Sequence, residues 1–402
     1  MFQHRIFYGW WIVAACLVSA LIGNALGLFG AGVYLRALSQ TNGWPIGLIS
    51  GAATLFYVVS AVLLIPVGGA INRFGPRPVI GFGGVAMAGG VAGIGQVTAP
   101  WQAYLAFFAM GIGWACLSTT AVATTIGPWF EKYQGRAVSI ASLGASVGGM
   151  IGTPILLFGI GRAGFAITTA IAGSLAAAVL LPLAVRVMRH RPVDIGLFPD
   201  GAPAARAVTL ETTPPWSQIT AARTRSLRGV MLGFGTGMMV QIGFLTHQVT
   251  LLSQMLSTAW ISTTVSATAI AALFGRLALV RFADRIDARM TAMVALLLAA
   301  VALSALALFP TPAILIGASM VFGLTVGNVT TLQPIIVRRE FGATSFGAVF
   351  GVASCVIQLV TALGPGFYGV LHDACGGYRV PLLLAAALDV MAAVVVIVSR
   401  RQ

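Results

Sequence analysis

Charge is what this sequence has least of. Charged residues make up 8% of its 402 positions, where soluble domains carry roughly 25%. A water-facing surface is excluded on that count. Cysteine is scarce too: Cys16, Cys116, Cys355 and Cys375 have no paired spacing, so a disulfide framework or metal site has no basis. There is no Gly-Lys-Ser/Thr phosphate loop, which excludes a P-loop ATPase. No nucleophile–base pair or metal cluster points to an enzyme, and no cofactor is expected. The N-terminus lacks a short apolar core with a small-residue cleavage site, so its first apolar run is expected to stay as a helix.

What is present is apolar sequence in long pieces. Apolar residues make up 58% of the chain, and mean hydropathy is +0.96. Runs near 9–34, 46–70, 78–97, 101–127, 137–159, 164–187, 229–255, 260–282, 290–309, 312–336, 346–370 and 379–398 suit helices of about 20 residues in lipid. The expected fold is an all-α membrane protein with twelve transmembrane helices, here called spans one to twelve.

The basic residues orient it. With both termini cytoplasmic, all but four of the 23 lysines and arginines fall in cytoplasmic segments. Arg36, Arg162 and Arg379 lie near the opposite face, and Arg276 lies inside span eight. This bias is the positive-inside rule. It accounts for the net charge of +14 without nucleic acid, for which an aromatic-interleaved basic stretch is also lacking.

The longest polar stretch, 188–228, divides the spans six and six. The expected organisation is an N-terminal bundle over 1–187, a cytoplasmic linker over 188–228 and a C-terminal bundle over 229–402. The halves echo one another. "GAINRFGPR" (69–77) follows span two and "RFADRIDAR" (281–289) follows span eight, so Asn72, Arg73 and Arg77 match Asp284, Arg285 and Arg289 at one offset. "GPWFEKYQGRAVS" (127–139) likewise faces "QPIIVRREFGATS" (333–345). Two pseudo-symmetric six-helix bundles place a substrate site between the halves, near the midplane.

Twelve spans, a 6+6 linker and basic loops after spans two and eight resemble the major facilitator superfamily. The loop pattern survives with Asn72 in the acidic place, while the second copy keeps Asp284 and loses both glycines. The resemblance makes Arg73, Arg77, Asp284, Arg285 and Arg289 a cytoplasmic gate. Four further stretches narrow it: "RIFYGWWIVAA" (5–15), "PWFEKYQGRAVSIASLGASVGG" (128–149), "RPVDIGLFPDG" (191–201), and the arginine eight residues before the loop acid in span eight. Together they are similar to the bacterial monocarboxylate transporter and oxalate:formate antiporter group, over essentially the whole chain.

Arg276 is the sharpest candidate. A lipid-facing arginine costs at least ~2.5–3.5 kcal/mol on insertion scales. Its side chain tilts toward the helix N-terminus, away from the cytoplasm, which opposes snorkelling. The resemblance makes it the carboxylate-binding residue, and a guanidinium fork suits a carboxylate as lysine does not. The second cation that the oxalate antiporter carries in span eleven falls at Ala353 here, which favours a monoanion unless His247 supplies a charge. His247, in "GFLTHQVTLL", reads either as a packed histidine or as a substrate- and proton-handling one. Asn24, Leu28 and Phe29 in span one, Ser118 and Thr119 in span four, Asn328 in span ten and Gln358 in span eleven complete the expected site. At the polar positions among them helix–helix hydrogen bonding is an equal reading. Leu28 and Phe29 stand where the oxalate antiporter presents Gln and Tyr, so an alkyl- or aryl-bearing substrate is expected. Asp389, in span twelve, must be paired or protonated, and its peripheral span favours a structural role. Asp373 is expected in an outer loop near Arg379.

The function these readings support is secondary transport of a small monocarboxylate with proton symport, by alternating access. An organic-anion exchanger without net proton coupling is the alternative. A drug exporter or a transporter-like sensor ranks third, since span one lacks an acidic cavity residue and the linker has no added domain. The expected setting is the bacterial inner membrane. The superfamily default is a monomer.

Overall fold

A computed structural model describes residues 7–201, 218–282, 287–342 and 345–400. Within them, twelve helices are long and apolar enough to cross a membrane: Tyr8–Asn42, Ile46–Phe74, Pro76–Ile94, Pro100–Trp129, Gln134–Ala163, Phe165–Arg186, Arg225–Leu252, Thr258–Leu279, Ala288–Leu308, Pro312–Phe341, Val349–Cys375 and Arg379–Val398. They are spans one to twelve in order, each overlapping its run in the sequence. The protein is an all-α, multi-pass membrane protein.

The chain forms two compact units. One comprises Met1–Tyr34 with Val59–Thr209, the other Leu35–Val58 with Leu210–Gln402. In the first, span three packs against spans four and six, and span one against span five. Glycine makes these approaches possible. A Cβ at Gly148 would lie 2.5 Å from the Leu21 carbonyl oxygen, and one at Gly152 would lie 2.8 Å from the Ala25 Cα. Any larger residue there would push spans one and five apart. In the second unit, span nine packs against spans ten and twelve, span seven against eleven and twelve, and span eight against ten. Leu227, Phe234, Leu296, Leu332, Ile336 and Val396 lie in its apolar core.

Single glycines turn the chain where two spans meet without a loop. Gly75 (φ 84°, ψ 166°) separates spans two and three, and Gly164 (φ 82°, ψ 168°) separates spans five and six. Neither conformation suits a residue with a Cβ. Pro76 then opens span three at a position whose N–H has no helical partner. The Gly-Pro of "RFGPR" is thus a turn followed by a helix start.

Three spans are irregular. Span one contains a π-helical turn over Asn24–Leu28, closed by a hydrogen bond from Phe29 N–H to the Asn24 carbonyl at 3.0 Å. Span four breaks at Ser118, whose extended backbone (ψ 166°) ends one helix and caps the next through its hydroxyl, which accepts from Ala121 N–H at 3.3 Å. Span eleven breaks between Thr361 and Gly364. Pro365 explains that break, because its ring clashes with the carbonyl of Thr361 in a continuous helix.

Three of the four stretches that narrowed the resemblance meet in the first unit. Phe7 and Trp10 pack on Phe130 with ring centroids 5.6 and 5.1 Å apart, and Tyr8 packs on Trp129 at 5.5 Å. The Tyr8 hydroxyl donates to the Val187 carbonyl at 2.8 Å. Asp200, in the left-handed region at φ 57°, accepts from the N–H groups of Lys132 at 2.8 Å and Glu131 at 3.2 Å. These motifs clamp the ends of spans one and four to the chain leaving span six.

Candidate functional site

Spans eight and ten cross with their backbones in contact. A Cβ at Gly323 would lie 3.0 Å from the Thr268 Cα, and one at Gly327 would lie 3.1 Å from the Arg276 Cβ. The stem of Arg276 therefore starts out against span ten. Phe274, Leu277 and Ala278, its neighbours on span eight, are exposed. The guanidinium Nε is buried and has no hydrogen-bond partner among the described residues. Nearby on span ten, Asn328 donates Nδ2–H to the Leu324 carbonyl at 3.2 Å and leaves a buried Oδ1 unpaired among the described residues. A charged donor and a neutral acceptor stand unsatisfied on two adjacent helices, where leaving either empty is costly. Ala353 is fully buried in the apolar core of this unit. Gln358 is half-buried in the last turn before the break in span eleven.

Five expected residues belong to the first unit. Asn24 and Leu28 begin and end the π-helical turn, and Phe29 follows it. Asn24 is buried and donates Nδ2–H to the Ala20 carbonyl at 2.8 Å, while Leu28 and Phe29 are half-buried. Ser118 is the cap at the break in span four, and Thr119 is exposed at the first position of the helix after it. The two irregularities are neighbours: a Cβ at Gly23 would lie 3.1 Å from the Leu117 Cβ. Sequence reading located the polar residues but not the broken backbone that presents them, because hydropathy is the same through a helix, a π turn and a break.

His247 lies elsewhere in the second unit. Counted from the turn joining spans seven and eight, it sits five residues back and Arg276 eighteen residues on. At 1.5 Å per residue that separates them by roughly 20 Å along the helix axes, so the two do not hold one small anion. His247 is 1% exposed, with Nε2 3.0 Å from the Pro365 carbonyl and 3.2 Å from the Ser50 hydroxyl, and Nδ1 3.0 Å from the Tyr378 hydroxyl. Ser50 already donates to the Ile46 carbonyl at 2.7 Å, so Nε2 must carry the hydrogen. Nδ1 then accepts from Tyr378, and the neutral ring is fully satisfied. Burial holds the Tyr378 phenol above its ordinary pKa, which keeps it a donor. Asp373 corrects an expectation: it faces Gly47 N–H at 2.6 Å and His372 Nδ1 at 3.0 Å rather than Arg379.

Asp284 and Arg285 lie outside the described residues. Arg73 is exposed over the Phe74 ring at 5.1 Å, and Arg77 donates to the Val185 carbonyl. Arg289 is 3% exposed and inserted among spans seven, nine, ten and twelve. Its Nε meets Glu340 Oε1 at 2.6 Å and its Nη2 meets Oε2 at 3.0 Å. Ser226 and Ser399 hydroxyls accept from it at 2.8 and 3.0 Å. Glu340 was not among the expected residues. Its position directly after Arg338 and Arg339, as the only acid at that end of span ten, was the signal for it.

A family model described as Major Facilitator Superfamily matches residues 15–365 and 251–402. Monocarboxylate transporter 13 of Bos taurus is 24% identical over 390 residues, which cover 94% of this chain and 86% of that protein. A bacterial homologue of the human lysosomal transporter Spinster, solved in an inward-facing, unoccupied conformation, superposes with a TM-score of 0.74 at 15% identity, covering 99% of both chains. The nucleoside transporter NupG gives a TM-score of 0.74 at 12% identity, covering 97% of this chain and 100% of that one. At those identities the two structures speak for the fold alone. The chain belongs to the major facilitator superfamily, and its fold is that of a membrane transporter.

Proposed function

We propose that the protein is a secondary transporter that carries a small monocarboxylate together with a proton, by alternating access. Its setting is a bacterial inner membrane with both termini cytoplasmic and the basic loops inside. Arg276 binds the carboxylate through its guanidinium fork. The observation that carries this reading is the buried Nε of Arg276, unpaired among the described residues on a stem turned toward span ten. Similarity to a monocarboxylate transporter along 94% of the chain supports the substrate class. Asn328 supplies an acceptor beside the same crossing. Leu28, Phe29, Asn24, Ser118, Thr119 and Gln358 are kept as further candidates for substrate contact. His247 belongs to proton handling rather than to the carboxylate contact. Arg73, Arg77, Asp284, Arg285 and Arg289 retain the role of cytoplasmic gate, with Arg289 acting through Glu340.

Uptake of radiolabelled monocarboxylates into proteoliposomes, with and without an inward proton gradient, tests this. Gradient-stimulated uptake is expected in the parent. Arg276→Lys is expected to raise KM at least about tenfold, since one point charge replaces a two-pronged contact. Equal uptake by the variant and the parent would remove Arg276 from the site.

A further inference from the structure

Midway along span twelve, Asp389 is 1% exposed and its Oδ1 has no hydrogen-bond partner among the described residues. Among the other buried polar atoms of this unit that are unpaired there are the Oε1 of Gln241 on span seven and the hydroxyl of Tyr368 on span eleven. Gln241 lies on the face of span seven that the carboxyl meets. A Cβ at Gly237 would lie 3.8 Å from Asp389 Oδ1, and Gln241 is one helical turn on from Gly237, along the same face. Tyr368 lies within electrostatic reach of Asp389. An ionised carboxylate and an amide oxygen are both acceptors and cannot satisfy each other. A proton on Asp389 resolves this conflict, turning the carboxyl into a donor on the side that faces span seven.

Among the described residues, the surroundings contain no cation to hold the ionised form. Span nine presents no ionisable side chain after Arg289, which is at its end and engaged by Glu340. Span seven offers His247, with Arg225 and Arg228 at its far end. Span eleven offers Cys355 and Tyr368, then His372, Asp373 and Cys375 in its last turns. On span twelve itself the only other ionisable group is Arg379, at its first residue. A series of ring and hydrogen-bond contacts runs from Tyr368 to the last turn of span eleven. Tyr368 stacks on His247 at 5.7 Å, His247 Nδ1 meets Tyr378 at 3.0 Å, Tyr378 packs on His372 at 4.5 Å, and His372 meets the partly exposed Asp373 at 3.0 Å.

We propose that Asp389 is the site that binds and releases the coupling proton, with Gln241 as its partner and the Tyr368–His247–Tyr378–His372 series as its path. The step is a protonation alone: the carboxylate takes up one proton and becomes neutral, then returns it. The assignment rests on the proton-coupled reading above.

Two measurements on the full-length protein test it. In infrared difference spectra of lipid-reconstituted protein, the carbonyl stretch of a protonated carboxyl is expected to appear and vanish with pH in the parent. It should be absent in Asp389→Asn and shifted in Gln241→Leu. A spectrum unchanged by Asp389→Asn, or a band constant at every pH, would overturn the proposal. In proteoliposomes under a proton gradient, the plateau accumulation ratio of a radiolabelled monocarboxylate should fall to one in Asp389→Asn and recover in Asp389→Glu. A structural role would slow the approach and leave the plateau, which would also overturn it. Should the parent take up no monocarboxylate, the functional reading fails by itself, and the infrared titration still decides on Asp389.

Discussion

Arg289 and Glu340 face each other fork to fork, Nε to Oε1 at 2.6 Å and Nη2 to Oε2 at 3.0 Å, with the guanidinium 3% and the carboxylate 18% exposed. Removing one partner leaves a charge in a low-dielectric setting, which costs about 3–5 kcal/mol. Arg289→Ala is therefore expected to lower the melting temperature in detergent sharply. Arg289→Met with Glu340→Leu should lose far less than the single change, because no charge is stranded. A double variant as unstable as Arg289→Ala would show that the pair matters for more than its charges.

Glycine at 327 is required by contact rather than by turn geometry. Its missing Cβ would meet the Ala272 carbonyl and the base of Arg276. Gly327→Ala should cost about 1–3 kcal/mol through overpacking and reduce monocarboxylate uptake, because span ten can no longer seat against span eight. Gly317, on the same span, is the control: a Cβ added there meets nothing within 4 Å. Gly317→Ala should stabilise by roughly 0.5–1 kcal/mol, the helix preference of alanine. Thermal unfolding of the two variants separates these outcomes, and the same sign for both would sink the argument.

The His247 cluster makes a graded prediction. Ser50→Ala removes only the longer of two acceptors for Nε2–H and should cost less than about 1 kcal/mol, since the Pro365 carbonyl remains. His247→Phe keeps a ring but strands the Pro365 carbonyl and the Tyr378 hydroxyl, for about 2–4 kcal/mol. Chemical unfolding monitored by tryptophan fluorescence would rank them, and a costlier Ser50→Ala would refute the tautomer assigned to His247.

Asp287 caps span nine, accepting from Arg289 and Met290 N–H at 2.9 and 3.2 Å, and pairs with Arg400 at 2.8 Å. Partial burial pushes its pKa up, but these donors and the Arg400 charge outweigh burial and hold it below the usual 3.8. A depressed carboxylate pKa stabilises the fold above its unfolded value and loses that stabilisation as pH falls through the folded one. Stability should thus decline below about pH 4. In Asp287→Asn that part of the acid decline disappears, because the amide oxygen still caps but does not titrate. Asp287→Ala should cost about 1 kcal/mol at neutral pH through the lost cap. Melting temperatures measured against pH provide the comparison, and identical acid limbs would refute the linkage.

Twelve spans were legible because an apolar run long enough for lipid leaves few other readings. Their ends were not. Span five was expected over 137–159 and runs Gln134–Ala163, since polar residues such as Gln134 and Arg162 continue a helix that hydropathy has already left. Arg276 stood out as a charge in an apolar run, yet only the crossing with Gly327 shows which way its stem points. The Asp373–Gly47 contact joins residues 326 positions apart, and no local pattern encodes such a pairing. Ser118 was picked for its hydroxyl and turned out to matter for its backbone as well.

The π turn at Asn24–Leu28 represents one residue more than a regular helix of the same rise needs. A homologue lacking that residue would keep both flanking segments of span one on their present faces. Evolutionary drift in length is usually confined to loops, where added chain has room to bulge into water. Here a single-residue deletion can be absorbed in the interior of a membrane helix, and alignments of this chain should be free to open their gap there.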